Sequence, residues 1–280
     1  MRKTRFILFY SFVFFYFKGY SQLTIDSASI KCAYKLSYAI DSSRPEKKQT
    51  DILNLLIGSH INSFFSYITY AADSSFRTDI DGGKITPEQL LGDKQLQKKY
   101  TPGGFYSKYN LYIDNQGNKI FVTDIIGSTK YYYEEEKGIL KWDIKLDTTQ
   151  ILRYHCQKAT TRFRGRDYIA WFTNEVPINA GPYKFNGLPG LIVKLFDTKE
   201  NFIFECISIE RLNKIIPIVL NKKNYVRTTR YEFRKAFKAS FDNPWETLTS
   251  NPNVTFGGRD LDKMKSMLQN RIPYNPIEVE

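Results

Sequence analysis

The chain has 280 residues, a formal net charge of +12, 16% aromatic residues, three cysteines and two histidines. An apolar fraction of 42% supports a large buried core, which excludes a wholly disordered chain, and the length suits one large domain or two small ones. Three cysteines exclude a small disulfide-stapled protein, while His60 and His155 leave few ways to build a zinc site or a histidine relay.

The first 21 residues predict a signal peptide. A basic start precedes a 12-residue apolar run at 6–17, which is short for a membrane span but typical of a secretory h-region. Small residues then favour cleavage between Ser21 and Gln22, so we expect an exported protein, periplasmic or associated with the outer membrane; an uncleaved N-terminal anchor is the alternative. Loss of this segment removes four basic residues and lowers the formal charge from +12 to +8. The remaining basic residues are scattered, which argues against nucleic-acid binding.

The next third of the chain predicts strands and then a helix. Alternate residues from Ile30 to Tyr38 are apolar, so 29–40 is predicted to be a half-buried strand, followed by a second strand at 51–57. The pattern of 59–70 fits either a helix or a strand. Thr86, Pro87 and Gln89 are typical of a helix start, and this helix is predicted to end near residue 100.

Residues 109–210 predict an antiparallel meander. Short β-rich runs are spaced at intervals that suit an antiparallel sheet, namely 109–113, 119–126, 130–134, 151–159, 168–173, 191–197 and 202–210. A further strand is predicted at 140–146, with Leu140, Trp142, Ile144 and Leu146 facing the core. In the run 168–172 the residues on both faces of the predicted strand are apolar, so both faces are predicted to be covered by other parts of the protein. Glu134, Glu135 and Glu136 are interpreted as the charged rim of a hairpin.

The last 60 residues predict helices. A capping box begins at Thr229, and Phe233, Phe237 and Phe241 recur at intervals of four, which predicts an amphipathic helix ending at Asn243. A second helix is predicted at 260–270. We expect both to pack on the sheet as a lid; peripheral contact of the basic helix with a membrane surface is the alternative.

The segment 174–192 is dense in turn formers. Pro177, Pro182 and Pro189 fix φ, and its glycines permit positive φ, so the sequence predicts a stiff loop of defined shape. Its GLPGLI hexapeptide at 187–192 lacks the Lys-Ser/Thr pair of a phosphate-binding loop.

This hexapeptide is the motif after which the bacterial GLPGLI family is named, and the chain resembles that family most strongly over 130–210. The flanking elements that carry the resemblance are Cys156 to Ala159, Gly165 and Arg166, Ala170 to Thr173, Val176 to Ile178 and Gly181 to Phe185, with a weaker likeness at Ser63 to Ser66. The resemblance implies an exported, Bacteroidetes-type envelope protein of unassigned activity, with no catalytic residues to carry over. The strand and turn around Trp171 also resemble the half-open barrel of periplasmic lipoprotein carriers, at the level of fold.

The motif region supplies the candidate binding residues. They are Trp171, Pro177, Gly181, Pro182, Phe185, Gly187, Leu188, Pro189, Gly190, Leu191 and Ile192, for which a purely structural role is the alternative. Alternation of Arg162, Arg164 and Arg166 predicts a shared strand face that can contact an anion, unless that face is simply solvated. Two arrangements are open for the cysteines: Cys156 pairs with Cys206 and leaves Cys32 free, or all three are buried thiols.

The sequence therefore predicts a mainly β (α+β) fold, with a curved antiparallel sheet or half-open barrel and a few packing helices. We expect an antiparallel β domain at 22–220 and a helical C-terminal extension, 221–280, packed on it. No nucleophile elbow, metalloprotease helix or cofactor motif is present, so a non-catalytic protein without cofactor or metal is expected. Its partner would be an apolar or lipid-like ligand, held in a cavity of roughly 300 Å³ or more. Alternatives are an accessory module of an outer-membrane receptor, with an exposed edge strand or apolar patch, and an envelope hydrolase using carboxylates such as Asp124 or Glu175.

Overall fold

The structure is a computed structural model that describes residues 24–86, 89, 95, 106–220, 222, 224–249, 265–266 and 275–280. The predicted fold class is confirmed: the chain is mainly β, and short helices accompany one open sheet. The expected signal peptide at 1–21 and most of the helix predicted after Thr86 lie outside the described residues, as does the helix predicted at 260–270 except for 265–266. Within the described part of the chain, no helix has the length and apolar character needed to cross a membrane.

Twelve strands and three helices are defined in the described residues. The strands are β1 (Thr24–Ala39), β2 (Lys48–Gly58), β3 (Ile61–Ser66), β4 (Asn110–Asp114), β5 (Lys119–Ile126), β6 (Thr129–Glu136), β7 (Asp143–Ile151), β8 (Tyr154–Phe163), β9 (Arg166–Thr173), β10 (Leu191–Asp197), β11 (Phe202–Val219) and β12 (Val226–Arg227). The helices are α1 (Tyr67–Asp81), α2 (Arg230–Asp242) and α3 (Pro244–Thr249).

All twelve strands belong to one sheet in the order β12-β6-β5-β4-β3-β2-β1-β11-β10-β9-β8-β7. Neighbouring strands are antiparallel except for β12, which pairs in parallel with β6, so the sheet is mixed rather than purely antiparallel. The long strands β1 and β11 pair at the centre, and the register of β1 shifts at three places. Such irregularities bend a strand and increase its twist, which lets these long strands follow a non-planar sheet.

The ambiguous segment 59–70 contains both kinds of element. Its first half forms β3, in which Phe64 is fully buried opposite Leu55 of β2. The chain then changes to α1 at Ser66, whose hydroxyl accepts a hydrogen bond from the Thr69 N–H at 3.2 Å and caps the helix. Because a short apolar run is compatible with either period, the sequence could not locate this change.

Most of the core lies on one face of the sheet. The main cluster joins both halves of the sheet, with fully buried side chains such as Tyr34 on β1, Phe172 on β9 and Phe204 on β11. A smaller cluster on the opposite face includes Leu56 and Tyr112, and the Tyr112 hydroxyl donates to the Val219 carbonyl at 3.0 Å. The main face therefore carries the layer of loops and helices that forms the site described below.

The predicted N-cap of the C-terminal helix is confirmed. The Thr229 hydroxyl accepts from the Glu232 N–H at 3.2 Å, and α2 ends before Pro244, which cannot continue the hydrogen-bond ladder from inside a helix. Phe233 is buried and lies edge-on to Tyr131 of β6, with ring centroids 5.9 Å apart. The phenylalanine face of α2 is thus turned toward the sheet, as the lid arrangement requires.

The strand predicted at 140–146 was wrong in its extent and in two of its core residues. Strand β7 begins at Asp143 on the outer edge of the sheet, and Ile144 and Leu146 are 47% and 95% exposed. Trp142 precedes the strand and packs on the core, where its indole N–H donates to the Asn186 carbonyl at 2.8 Å. Alternation predicted burial, but none of the described residues covers the edge strand at these positions.

Candidate functional site

A cavity of about 560 Å³ lies between the main face of the sheet and α2. Its floor comes from β1, β4, β5 and β6, and its other walls come from α2, from residues 106–109 and from the C-terminal segment 275–278. The volume falls within the range of typical small-molecule sites, roughly 300–1,000 Å³.

The lining is dominated by aromatic and aliphatic side chains. Nine aromatic residues line it, namely Tyr38, Tyr106, Tyr109, Tyr133, Tyr183, Phe202, Phe233, Phe237 and Phe241. Aliphatic side chains fill the surface between these rings, among them Leu36, Leu111, Val122 and Ile277. Apolar rings with a few polar tips suit a ligand that is itself amphiphilic, because both parts of such a molecule find matching surface.

Asp124 of β5 places a carboxyl group against this apolar lining. Its Oδ1 accepts a hydrogen bond from the Ile125 N–H at 2.7 Å, and no cation lies within ion-pair distance of it among the described residues. Burial raises the pKa of Asp124 to about 7, although that hydrogen bond and the charges of Lys108 and Lys184 act in the opposite direction. Asp124 therefore changes its charge near neutral pH and faces a space large enough for a ligand.

A buried ionic cluster holds the C-terminal wall of the cavity. Lys184 lies between Glu135 of β6 and Glu278, with its ammonium 2.7 Å from Glu278 Oε1. Arg230 of α2 donates to Glu278 Oε2 at 2.6 Å, and the Tyr183 hydroxyl donates to Oε1 at 2.6 Å. Burial by itself raises the pKa of Glu278, but Lys184 and these hydrogen bonds outweigh it and lower that pKa to about 2. Sequence reasoning missed this cluster and interpreted Glu135 as part of the charged rim of a hairpin.

The predicted motif residues lie in the core or beside it, and none of them lines the cavity. The side chains of Phe185, Leu188, Leu191 and Ile192 are buried, as are Gly181, Pro182 and Gly190, whereas Trp171 is half-buried and Pro177, Gly187 and Pro189 are exposed. Phe185 packs against Tyr168 with ring centroids 4.6 Å apart. A binding role for these residues stays a prediction, but their packing accounts for a structural one.

Local sterics explain why two positions of the motif are glycine. A Cβ on Gly190 would lie 2.0 Å from the carbonyl oxygen of Thr173, so the loop can approach β9 this closely only without a side chain. Gly187 has φ +97°, which disfavours any other residue, and its N–H donates to Asn179 Oδ1. The motif therefore fixes the loop against the sheet and positions Tyr183 and Lys184, which hold Glu278.

The three arginines do not share a strand face as predicted. Arg162 ends up opposite Asp167 and Phe163 opposite Arg166, so Arg162 and Arg166 project from opposite faces of the β8–β9 hairpin. Arg164 lies in the turn with φ +47°. The alternation was misleading because the chain reverses between them, and the turn breaks the period of two.

Each arginine is already paired with an acidic side chain. The closest contacts are 3.4 Å for Arg162 with Asp167, 3.4 Å for Arg164 with Glu135 and 3.0 Å for Arg166 with Asp197. Arg166 also donates to the Pro276 carbonyl at 2.6 Å and to Asn275 Oδ1 at 2.7 Å. It therefore helps to hold the same C-terminal wall as Lys184, and its proposed contact with an external anion stays a prediction.

The cysteines and histidines form no centre within the described residues. Cys32, Cys156 and Cys206 are buried free thiols, which is the second of the two arrangements left open by the sequence. No group of three or more His, Cys, Asp or Glu suited to a metal ion occurs in the part of the chain that the structure describes. Glu175, one of the two carboxylates suggested for hydrolysis, accepts from the His155 N–H at 2.7 Å and does not line the cavity.

Comparison with known proteins finds a profile of unknown function that is similar to the motif region. A family profile described as "Protein of unknown function (Porph_ging)" matches residues 164–194, which include the GLPGLI hexapeptide. The match is compatible with a Bacteroidetes envelope protein, and membership of the GLPGLI family itself stays a prediction. No curated protein matches the chain.

The fold is similar to part of a larger solved protein. A structure of PNGF-II in space group P21 aligns with a TM-score of 0.50 and 12% identity over 77% of this chain and 34% of that chain. A structure of PNGF-II in space group C2 aligns with a TM-score of 0.49 and 13% identity over 75% and 33% of the two chains. The chain thus spans about a third of PNGF-II, and the likeness concerns the fold alone.

Proposed function

We propose that this protein is an exported, non-catalytic envelope protein that binds an amphiphilic small molecule between the sheet and α2. The observation that carries the proposal is the aromatic cavity of about 560 Å³, with Asp124 as a polar group in its wall. An apolar space of this size between a sheet and a covering helix gives an apolar chain a place to leave water, which is the main favourable contribution to binding such a ligand.

The polar groups of the cavity favour binding over hydrolysis. Its two lining carboxylates are Asp124 and Glu278, and Glu278 is held by Lys184 and Arg230. A carboxylate that is saturated by buried cations is poorly placed to act as a nucleophile or base on a substrate. A glycosidase-type mechanism requires a second free carboxylate beside Asp124, and the described lining residues do not provide one.

A matched pair of variants on α2 tests the proposal. Ser240 lines the cavity, whereas its neighbour Ala239 is exposed and does not. We expect Ser240→Trp to fill the cavity and Ala239→Trp to leave it open. The probe is the neutral dye N-phenylnaphthylamine, whose fluorescence rises in apolar sites.

The wild type and Ala239→Trp should bind the dye with equal affinity, and Ser240→Trp should lose at least about tenfold in affinity, or 1.4 kcal/mol. Equal binding by all three proteins would place the dye elsewhere, and absence of binding by the wild type would refute the proposal. Circular dichroism of each variant separates a filled cavity from an unfolded chain.

The second candidate, an accessory module of an outer-membrane receptor, is favoured by the edge strand β7. Ile144 and Leu146 are exposed on this strand, which pairs with β8 on one side only within the described residues. An exposed edge can accept a further strand from another protein. A Leu146→Lys variant that loses a partner captured from envelope extracts, but still binds the dye, would support this second role.

A further inference from the structure

Among the described carboxylates that line the cavity, Asp124 is the one without an ion pair, whereas Glu278 is held by Lys184 and Arg230. The hydrogen bond to Oδ1 comes from the adjacent Ile125 N–H, and the described residues provide no ion pair within 4.0 Å. A carboxylate on an apolar surface costs free energy unless a cation or several donors compensate it. A ligand that supplied a positive charge here would therefore gain more than one that supplied a neutral or negative group.

Other cations near the cavity are already committed or are located at its outer side. Lys184 is bound by Glu135 and Glu278, and Arg234 lies 3.6 Å from Glu278 Oε2. Lys108 also lines the cavity but is exposed, so its ammonium can stay in water while its stem covers the wall. These pairings leave Asp124, when ionised, as the lining carboxylate without an ion pair among the described residues.

The aromatic rings around Asp124 provide a second interaction that would attract a positively charged ligand. Tyr131 is its cross-strand partner on β6, and Tyr133 and Phe233 lie against each other with centroids 5.5 Å apart. Tyr109 and Tyr183 form another edge-on pair at 5.5 Å. Faces of aromatic rings attract organic cations, and this attraction is strongest where water is excluded. A carboxylate together with several aromatic rings is the usual chemistry for recognising an alkylammonium group.

We propose that the ligand of this cavity is an amphiphilic amine, whose ammonium group pairs with Asp124 and whose alkyl chain lies among Phe233, Phe237 and Ile126. This inference rests on the proposed function, because it specifies the charge of the ligand that the cavity binds. All three apolar residues line the cavity together with Asp124. The polar end of the amine thus occupies the wall at β5, and its chain runs beneath α2.

The proposal has a consequence for pH. Only the ionised form of Asp124 attracts the ammonium group, so binding of an alkylamine should strengthen as pH rises through neutrality. Charged or titratable groups from every surrounding element face the same space, namely Tyr38, Tyr106, Lys108, Tyr109, Tyr133, Tyr183, Arg234 and Glu278. Burial raises the pKa of Tyr38, Tyr109, Tyr133 and Tyr183, and the pKa of Glu278 is lowered to about 2, so Asp124 is the group whose charge changes near neutral pH.

Calorimetric titration with octylamine, octanol and octanoate tests the proposal, because the three share one chain and differ in the charge of the head. At pH 8 we expect octylamine to bind about tenfold more tightly than octanol, and octanoate to bind most weakly. Asp124→Asn should remove the preference for octylamine, so that octylamine and octanol bind this variant with affinities within about twofold of each other. Octylamine affinity in the wild type should fall several-fold between pH 8 and pH 6, and in Asp124→Asn it should not.

The outcomes separate this inference from the function on which it rests. If octanol and octanoate bind as well as octylamine, or if Asp124→Asn keeps the preference for octylamine, the cavity binds amphiphiles and the amine assignment is wrong. If none of the three compounds binds the wild type, both proposals are wrong. Circular dichroism and thermal unfolding of Asp124→Asn serve as the control that the variant is folded.

Discussion

Lys184 donates a hydrogen bond to Glu278 at 2.7 Å, although 94 residues separate them and both side chains are buried. This contact joins the motif-bearing loop to the C-terminal segment that forms one wall of the cavity. Arg230 reaches the same carboxylate from α2, so Glu278 connects the loop, the helix and the chain end. The wall of the cavity therefore depends on an ionic contact outside the motif hexapeptide.

Replacing Glu278 by glutamine should destabilise the protein strongly. The variant leaves Lys184 and Arg230 with one carboxylate, that of Glu135, where the wild type provides two. Breaking a buried ion pair costs about 3–5 kcal/mol, because a buried charge loses its compensation. Urea unfolding of Glu278→Gln at pH 7 measures this loss. The control is Glu280→Gln, whose side chain is exposed, and its expected effect is below about 1 kcal/mol; equal effects from the two variants would contradict the structural role of Glu278.

Acid should remove the same stabilisation over a defined range. The pKa of Glu278 is about 2 in the folded protein and 4.5 in its unperturbed state, so the ionised carboxylate stabilises the fold above pH 4.5. That contribution is lost as pH falls from 4.5 to about 2, because the unfolded chain then binds the proton first. The difference in unfolding free energy between the wild type and Glu278→Gln should be about 2 kcal/mol smaller at pH 3 than at pH 6. A difference that did not change with pH would show that Glu278 is not ionised in the fold.

Asp124 should have the opposite effect on stability. Its pKa is raised from 3.8 to about 7 in the folded protein, so the fold binds this proton more tightly than the unfolded chain does. The wild type therefore loses stability as pH rises from about 4 through 7, and Asp124→Asn does not share this loss. We expect Asp124→Asn to gain about 1–3 kcal/mol relative to the wild type between pH 5 and pH 8. Thermal unfolding without ligand at both values measures it, and a wild type that is relatively more stable at pH 8 would refute the assignment.

Gly190 should not tolerate alanine. The added Cβ would lie 2.0 Å from the Thr173 carbonyl oxygen. Neither atom can be moved by rotating a side chain, so the loop must move away from β9. A loss of about 3 kcal/mol or more is expected in urea unfolding. Gly138→Ala is the matched control, since its φ is +69° but no atom lies within 4 Å of the new Cβ, and it should cost only about 1 kcal/mol. Similar losses at the two glycines would mean that the close approach of the motif to β9 is unimportant.

Sequence patterns predicted secondary-structure elements well where the element depends only on residues close to each other in the chain. The Thr229 cap and the spacing of Phe233 and Phe237 predicted α2 and its buried face, because capping and helical periodicity depend on residues within a few positions of each other. The same reasoning identified the strand pattern but not the position of the strand in the sheet, since Leu146 alternates like a core residue but is 95% exposed on the edge strand β7.

The site itself could not be predicted from these patterns. Asp124 was named only as one of two carboxylates for a possible hydrolase, and nothing near it in sequence indicates the cavity that α2 and residues 275–278 close above it. Glu278 carried no signal, because its partners Lys184 and Arg230 are distant in the chain. The hexapeptide attracted attention as a binding loop, whereas its glycines serve close packing and bring the neighbouring Lys184 to Glu278.

A crystal structure of the protein soaked with a straight-chain alkanol that carries a terminal bromine tests the central claim most directly. The neutral alkanol tests the cavity independently of any charge preference, and anomalous scattering locates its bromine without ambiguity. The account predicts a bromine peak inside the cavity, among Phe233, Phe237 and Val122, which line it from the helix and the sheet. A peak only on the outer surface, or a cavity that remains without alkanol at saturating concentration, would contradict it.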